Sequence, residues 1–124
     1  MLDFENGKVF KLHRDSKARE KEMDALLIED ETVLDTYSSV RDIVAFTDKR
    51  IIAINKQGMT GTRKVMTSMP YSRVTAFSVE TAGVLGYDSA LVLYFTGIGR
   101  VTFEFSGASD IVAIGKAISE YILE

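Results

Sequence analysis

At 124 residues, 46% hydrophobic and 27% charged, the chain has the make-up of one globular domain, long enough to bury roughly two thirds of the surface its unfolded form exposes. It has no cysteine, which excludes disulfides, thiolate catalysis and cysteine-ligated zinc or iron–sulfur centres. The net charge of -3 does not suggest a nucleic-acid binder.

The opening M-L-D-F-E-N-G-K-V-F lacks a basic stretch followed by an apolar one, and no apolar run approaches the roughly 18 residues that a bilayer span requires. A cytoplasmic protein without a transmembrane segment is therefore expected. Charge is unevenly spread. Residues 41–73 hold seven basic and two acidic side chains, whereas residues 1–40 and 74–124 are both net acidic. Opposite signs on one small domain permit head-to-tail contacts between copies.

In chain order, residues 15–28 (D-S-K-A-R-E-K-E-M-D-A-L-L-I) are dense in good helix formers, with Asp15 or Ser16 available as N-cap, and predict a helix. Residues 32–40 alternate well enough for a first strand. Residues 41–56 (R-D-I-V-A-F-T-D-K-R-I-I-A-I-N-K) place two β-type runs around Asp48 and Lys49, the pattern of a tight hairpin. Residues 57–64, with Gly58 and Gly61, read as a mobile loop or the tip of a longer hairpin. Residues 65–69 make a weaker strand that Pro70 stops, because proline has no donor for a central ladder. Residues 74–81 form a half-buried strand. Residues 90–96 and 100–105 make a second hairpin around Gly97, Ile98 and Gly99, with Val101, Phe103 and Phe105 alternating against Thr102 and Glu104. From Ser109 the spacing changes to Ile111, Ile114, Ile118 and Tyr121 or Ile122, which predicts an amphipathic helix. Six or seven mainly antiparallel strands and one final helix imply a rolled sheet or sandwich with the helix plugging an open end.

No catalytic or cofactor-binding constellation stands out. Gly97-Ile98-Gly99 lacks a third glycine and a following helix, so it is not a dinucleotide fingerprint. Gly58-Met59-Thr60-Gly61 matches the G-x-x-G loop of KH domains, but its flanks read as strands. His13 is the only histidine and lies in a charged segment, so neither a multi-histidine metal site nor a His-dependent triad is expected. Glu80, Asp88 and Glu104 have no partner at an acid/base spacing.

From Met23 onward, the succession L-L-I-E-D-E-T-V-L, R-D-I-V-A-F-T-D-K-R-I-I-A-I, G-M-T-G-T-R-K, M-P-Y-S-R-V-T-A-F-S-V-E-T-A-G and the last helix resembles the bacterial pleckstrin-homology domain family. The resemblance implies a seven-stranded antiparallel barrel over residues 29–124 capped by the C-terminal helix, with residues 1–28 as a helical extension. It also implies ring-like homo-oligomers, no cofactor and no enzymatic activity. Eukaryotic phosphoinositide-binding members set several Lys and Arg residues around the first hairpin, where this chain offers Arg41 followed by Asp42.

In such a barrel the loops after the first, third and sixth strands meet at the open end. That groups Arg41, Lys56, Arg63, Lys64 and Arg100, with Gly58 and Gly61 letting backbone approach a ligand, as a candidate site for an acidic lipid headgroup, phosphate or peptide. Contacts between copies are expected from Met23, Leu26 and Leu27 of the N-terminal helix and from the adaptable thioethers of Met59, Met66 and Met69.

Overall fold

The computed structural model describes residues 7–15, 21–57, 63–84, 87–106 and 111–123. The elements in order are β1 (Lys8–Arg14), α1 (Lys21–Leu26), β2 (Val33–Ser38), β3 (Asp42–Thr47), β4 (Arg50–Gln57), β5 (Arg63–Pro70), a 3-10 turn (Tyr71–Arg73), β6 (Val74–Val84), β7 (Tyr87–Phe95), β8 (Gly99–Ser106) and α2 (Ile111–Ile122). All eight strands form one curved sheet in the order β5-β4-β3-β2-β1-β8-β7-β6.

The β3–β4 hairpin shows why the chain folds as it does. Thr47 Oγ1 accepts the N–H groups of Lys49 (3.1 Å) and Arg50 (3.0 Å), which satisfies the donors of the reversal. Asp48 is pinned to the start of β2 by its N–H on the Thr32 carbonyl and by its Oδ1 accepting the Thr32 N–H, both 3.0 Å. The β-branched and aromatic residues alternate across the pleat, so both faces of this hairpin are buried.

One face turns inward. Val44, Phe46, Ile51 and Ala53 join Phe10, Tyr37, Leu91, Leu93, Phe103 and Phe105 in the main core, which α2 closes with Ile111, Ile114 and Ile118. Aromatic rings fix its centre: Phe10 stacks on Phe103 at 5.2 Å and 7°, and Phe46 meets Phe103 edge-on at 5.3 Å. The outer face carries a second cluster, Ile43, Ala45, Ile52 and Ile54, beneath Met23 of α1 with Leu26 and Leu27 beside it.

Two expectations change. The N-terminal helix is shorter than residues 15–28, covering Lys21–Leu26, while residues 16–20 lie outside the described residues. Ahead of it, Lys8–Arg14 is an eighth strand. Phe10 and Leu12 are buried and Lys11 and His13 exposed, a period of two that an alternating strand requires. This strand runs parallel to β8 from Lys8↔Val101 to His13↔Ser106 and touches β2 antiparallel at His13↔Ser38 and Arg14↔Tyr37. It stitches the two halves of the sheet together, so residues 8–14 belong to the domain and are not a separate helical extension.

Candidate functional site

The register brings four of the expected basic residues to one end of the sheet. The Lys56 N–H donates to the Arg41 carbonyl at 2.8 Å, and Arg41 Nη1 to the Lys56 carbonyl at 3.4 Å. Across the next strand pair Lys56 lies opposite Lys64, and Gln57 opposite Arg63. Asp42 and Asn55 sit just inside this end. Asn55 Nδ2 donates to Asp42 Oδ1 while the buried Asn55 Oδ1 has no partner among the described residues, and Ser39 Oγ donates to Asp42 Oδ2 at 3.2 Å. Gly58 and Gly61 lie outside the described residues.

Arg100 is placed elsewhere. It is the second residue of β8, one before the Lys8↔Val101 pair, whereas β1 meets the Ser38 end of β2 at His13. Five residues of strand separate the two places, about 16 Å at roughly 3.3 Å per residue. The Arg100 guanidinium lies over Gly7, where an added Cβ would sit 2.8 Å from Nε, and Gly7 has φ +77°. The positive φ favours glycine there, whereas the Arg100 guanidinium, at the end of a flexible side chain, has room to shift. Arg100 also borders an open depression of about 650 Å³ at the β7–β8 turn, with Tyr94, Thr75, Thr96 and Ile98.

The opposite end of the β3–β4 hairpin holds a highly bonded charge pair, Glu31 with Arg50. The Glu31 carboxylate accepts from Arg50 Nε (2.9 Å), Arg50 Nη2 (3.0 Å), Thr47 Oγ1 (2.8 Å) and the Ile28 N–H (3.1 Å). Arg50 also donates to the Leu26 carbonyl at 2.5 Å and to Ser68 Oγ at 3.0 Å. Burial pushes the Glu31 carboxyl up, but the bonds from Arg50, Thr47 and Ile28, together with the Arg50 charge, outweigh it and hold the group below its ordinary value. This clamp seats α1 on the outer apolar cluster. Sequence reading assigned Arg50 no role; the Glu31 signal is visible only once β2, β3 and α1 are folded together.

The structure also joins His13 to Ser38, with Asp15 beyond, an assembly that sequence reading did not anticipate. Ser38 Oγ donates to Asp15 Oδ2 at 3.0 Å, and His13 Nε2 lies 3.4 Å from Ser38 Oγ. The serine proton is directed to the carboxylate and not to the imidazole. A nucleophile needs the reverse wiring, with the base taking the serine proton and the acid holding the base. No group of three or more metal-ligating side chains occurs among the described residues, and no helix among them is long and apolar enough to cross a membrane.

The expected contact residues divide. Met23 and Met69 are buried in the chain's own clusters, 0% and 2% exposed, so they present no surface to a second copy. Leu26 and Leu27 are half-buried against the outer cluster. Met66, on the edge strand β5, is 46% exposed. Met59 lies outside the described residues.

Comparison with known proteins agrees with this fold. The model of the family described as "Bacterial PH domain" matches residues 3–122. The uncharacterised protein YjqA of Bacillus subtilis (strain 168) is 38% identical over 104 residues, covering 82% of this chain and 83% of its own. A DUF1696 family protein with a pleckstrin-homology domain from Shewanella loihica PV-4 is 36% identical, covers 81% of this chain and 86% of that one, and superposes with a TM-score of 0.69. A pleckstrin homology domain from Shewanella amazonensis SB2B is 38% identical over 83% of this chain and 84% of that one, with a TM-score of 0.58.

Proposed function

This chain belongs to the bacterial pleckstrin-homology domain family, and from that premise we propose that it is a noncatalytic, self-associating interaction domain that closes into ring-like homo-oligomers. One observation carries the reading: the sheet ends in two strands, β5 and β6, that do not pair with each other. An edge strand holds a row of backbone donors and acceptors, and a second copy satisfies them by extending the sheet. Exposed Met66 on β5 and Val79 on β6, 46% and 39% exposed, add apolar surface at both edges. Light scattering on a sizing column tests the reading. A mass several times 13.8 kDa, independent of salt and dilution, is expected; a monomer at every concentration refutes it.

The convergence of Arg41, Lys56, Arg63 and Lys64 supports a second role, weak recognition of an acidic lipid headgroup, phosphate or peptide at that end of the sheet. Charge-assisted donors on two adjacent hairpins suit a polyanion. Repetition around an assembly would raise the avidity of a weak site.

A further inference from the structure

We propose that the depression beside the β7–β8 turn is a binding site for a small phosphate monoester carried on a planar or apolar body, with Arg100 taking the phosphate. The site is separate from the Arg41 end of the sheet and does not depend on self-association.

The register brings its residues together. Ala76 of β6 lies opposite Tyr94 of β7, and Tyr94 opposite Arg100 of β8. Gly7 follows in the same row, one residue before the Lys8↔Val101 pair. Residues opposite in a ladder share a side. Leu93 and Val101, one step along their strands, are buried in the core, so this row faces outward. Ala76 and Gly7 bring no side chain large enough to cover Tyr94 or Arg100. The turn between the strands, closed by the Ile98 N–H on the Phe95 carbonyl at 3.1 Å, adds Ile98, and Thr75 and Thr96 add their hydroxyls.

Charge and donors decide what fits. Among the described residues, Arg100 is the only charged side chain lining the depression, and it makes no hydrogen bond or ion pair with them. One guanidinium suits one anionic group, whereas a nucleic acid or an acidic membrane calls for several cations. Its fork of N–H donors fits two oxygens of a carboxylate or a phosphate. Further donors favour phosphate. The Thr75 and Thr96 hydroxyls bond to each other, so the one that accepts keeps its own proton for a ligand, and the exposed Tyr94 supplies a phenolic proton. A phosphate monoester presents a third terminal oxygen to these groups, which a carboxylate lacks. The depression, about 650 Å³, falls within the roughly 300–1,000 Å³ of small-molecule sites and exceeds what a bare phosphate fills. The Tyr94 ring and Ile98, 44% and 51% exposed, offer apolar surface to the rest of the molecule, and a planar body stacks on either the phenol or the guanidinium.

Phenyl phosphate, inorganic phosphate and benzoate are titrated in turn into the full chain, with backbone amide shifts followed by NMR. Phenyl phosphate is expected to give saturable shifts centred on Thr75 and residues 94–100. It should bind about tenfold tighter than inorganic phosphate, which lacks the body, and more tightly than benzoate, which lacks the third oxygen. Arg100→Gln breaks no hydrogen bond or ion pair with the described residues and is expected to weaken phenyl phosphate by about tenfold or more with an unchanged unfolding midpoint. Arg100→Lys, which keeps the charge and loses the fork, is expected to weaken it too, whereas Arg63→Ala with Lys64→Ala leaves it unchanged. Shifts centred on Arg41, Lys56 and Lys64, an unchanged affinity in Arg100→Gln, or no saturation by about 10 mM overturns the site. Inorganic phosphate or benzoate binding as tightly as phenyl phosphate overturns the ligand class. The shift map of the unsubstituted protein tests the place whether or not a variant folds.

Discussion

Glu31→Ala removes four hydrogen bonds at once and takes the carboxylate away from the Arg50 guanidinium. The carboxylate is fully buried and the Arg50 side chain 19% exposed. Breaking a fully buried pair costs about 3–5 kcal/mol, whereas exposed pairs contribute about 0–1 kcal/mol. Arg50 keeps Ser68 and the Leu26 carbonyl as partners, so the loss is placed at about 2–3 kcal/mol. In a domain of this size each kcal/mol moves the midpoint by about 3–5 °C, giving a fall of about 10 °C. Urea unfolding followed by circular dichroism measures it. The double replacement Glu31→Leu with Arg50→Met should recover most of the loss, since an apolar pair needs no compensation. The pH dependence has a definite sign. A carboxyl held below its ordinary value of 4.5 contributes stability that is fully present above pH 4.5 and lost as pH falls through the folded value. The difference between Glu31→Ala and the unsubstituted protein should therefore shrink in acid. A Glu31→Ala midpoint within about 0.5 kcal/mol of the unsubstituted protein at pH 7, the range of an inert surface change, would refute the clamp.

Met23→Ala, which opens a cavity over Ile43, Ile52 and Ile54, should cost about 2–4 kcal/mol in urea; a change below about 0.5 kcal/mol would mean α1 is not seated. Tyr71→Phe removes the 2.7 Å bond to the Thr47 carbonyl and should cost about 1 kcal/mol. Burial, with the charges of Asp48 and Glu31, raises the Tyr71 hydroxyl well above its ordinary 10.0. Its contribution is thus fully present below pH 10 and is lost as pH rises toward the folded value; on ultraviolet titration the folded Tyr71→Phe variant should show one late-titrating tyrosine fewer than the unsubstituted protein, and an unchanged number would refute the assignment. Arg63→Ala with Lys64→Ala should abolish salt-sensitive binding to acidic liposomes, and unchanged binding by flotation would dismiss the basic end as a site. Gly7→Ala should destabilise by about 1 kcal/mol through φ +77°, and an unchanged unfolding midpoint would refute it.

Much of the fold was present in local sequence. Ile43 to Phe46 and Ile51 to Ile54 around Asp48, the alternation of Val101, Phe103 and Phe105, and the three- and four-residue spacing of Ile111, Ile114 and Ile118 each fix their own element, because period and turn chemistry act over a few residues. The family resemblance was legible in their order. The β1 alternation was also written in K-V-F-K-L-H-R, but its pairing was not: a parallel neighbour almost a hundred residues away, Lys8↔Val101, leaves no local mark. For the same reason sequence alone grouped Arg100 with Arg41, whereas inserting β1 between β2 and β8 moves them apart along a strand. Nor does a sequence say that Met23 and Met69 turn inward while Met66 faces outward, since a thioether fits either place. Tertiary structure decided which faces are covered, that Glu31 meets Arg50, and that β5 and β6 are left as edges, because each depends on chain segments meeting across the whole sheet.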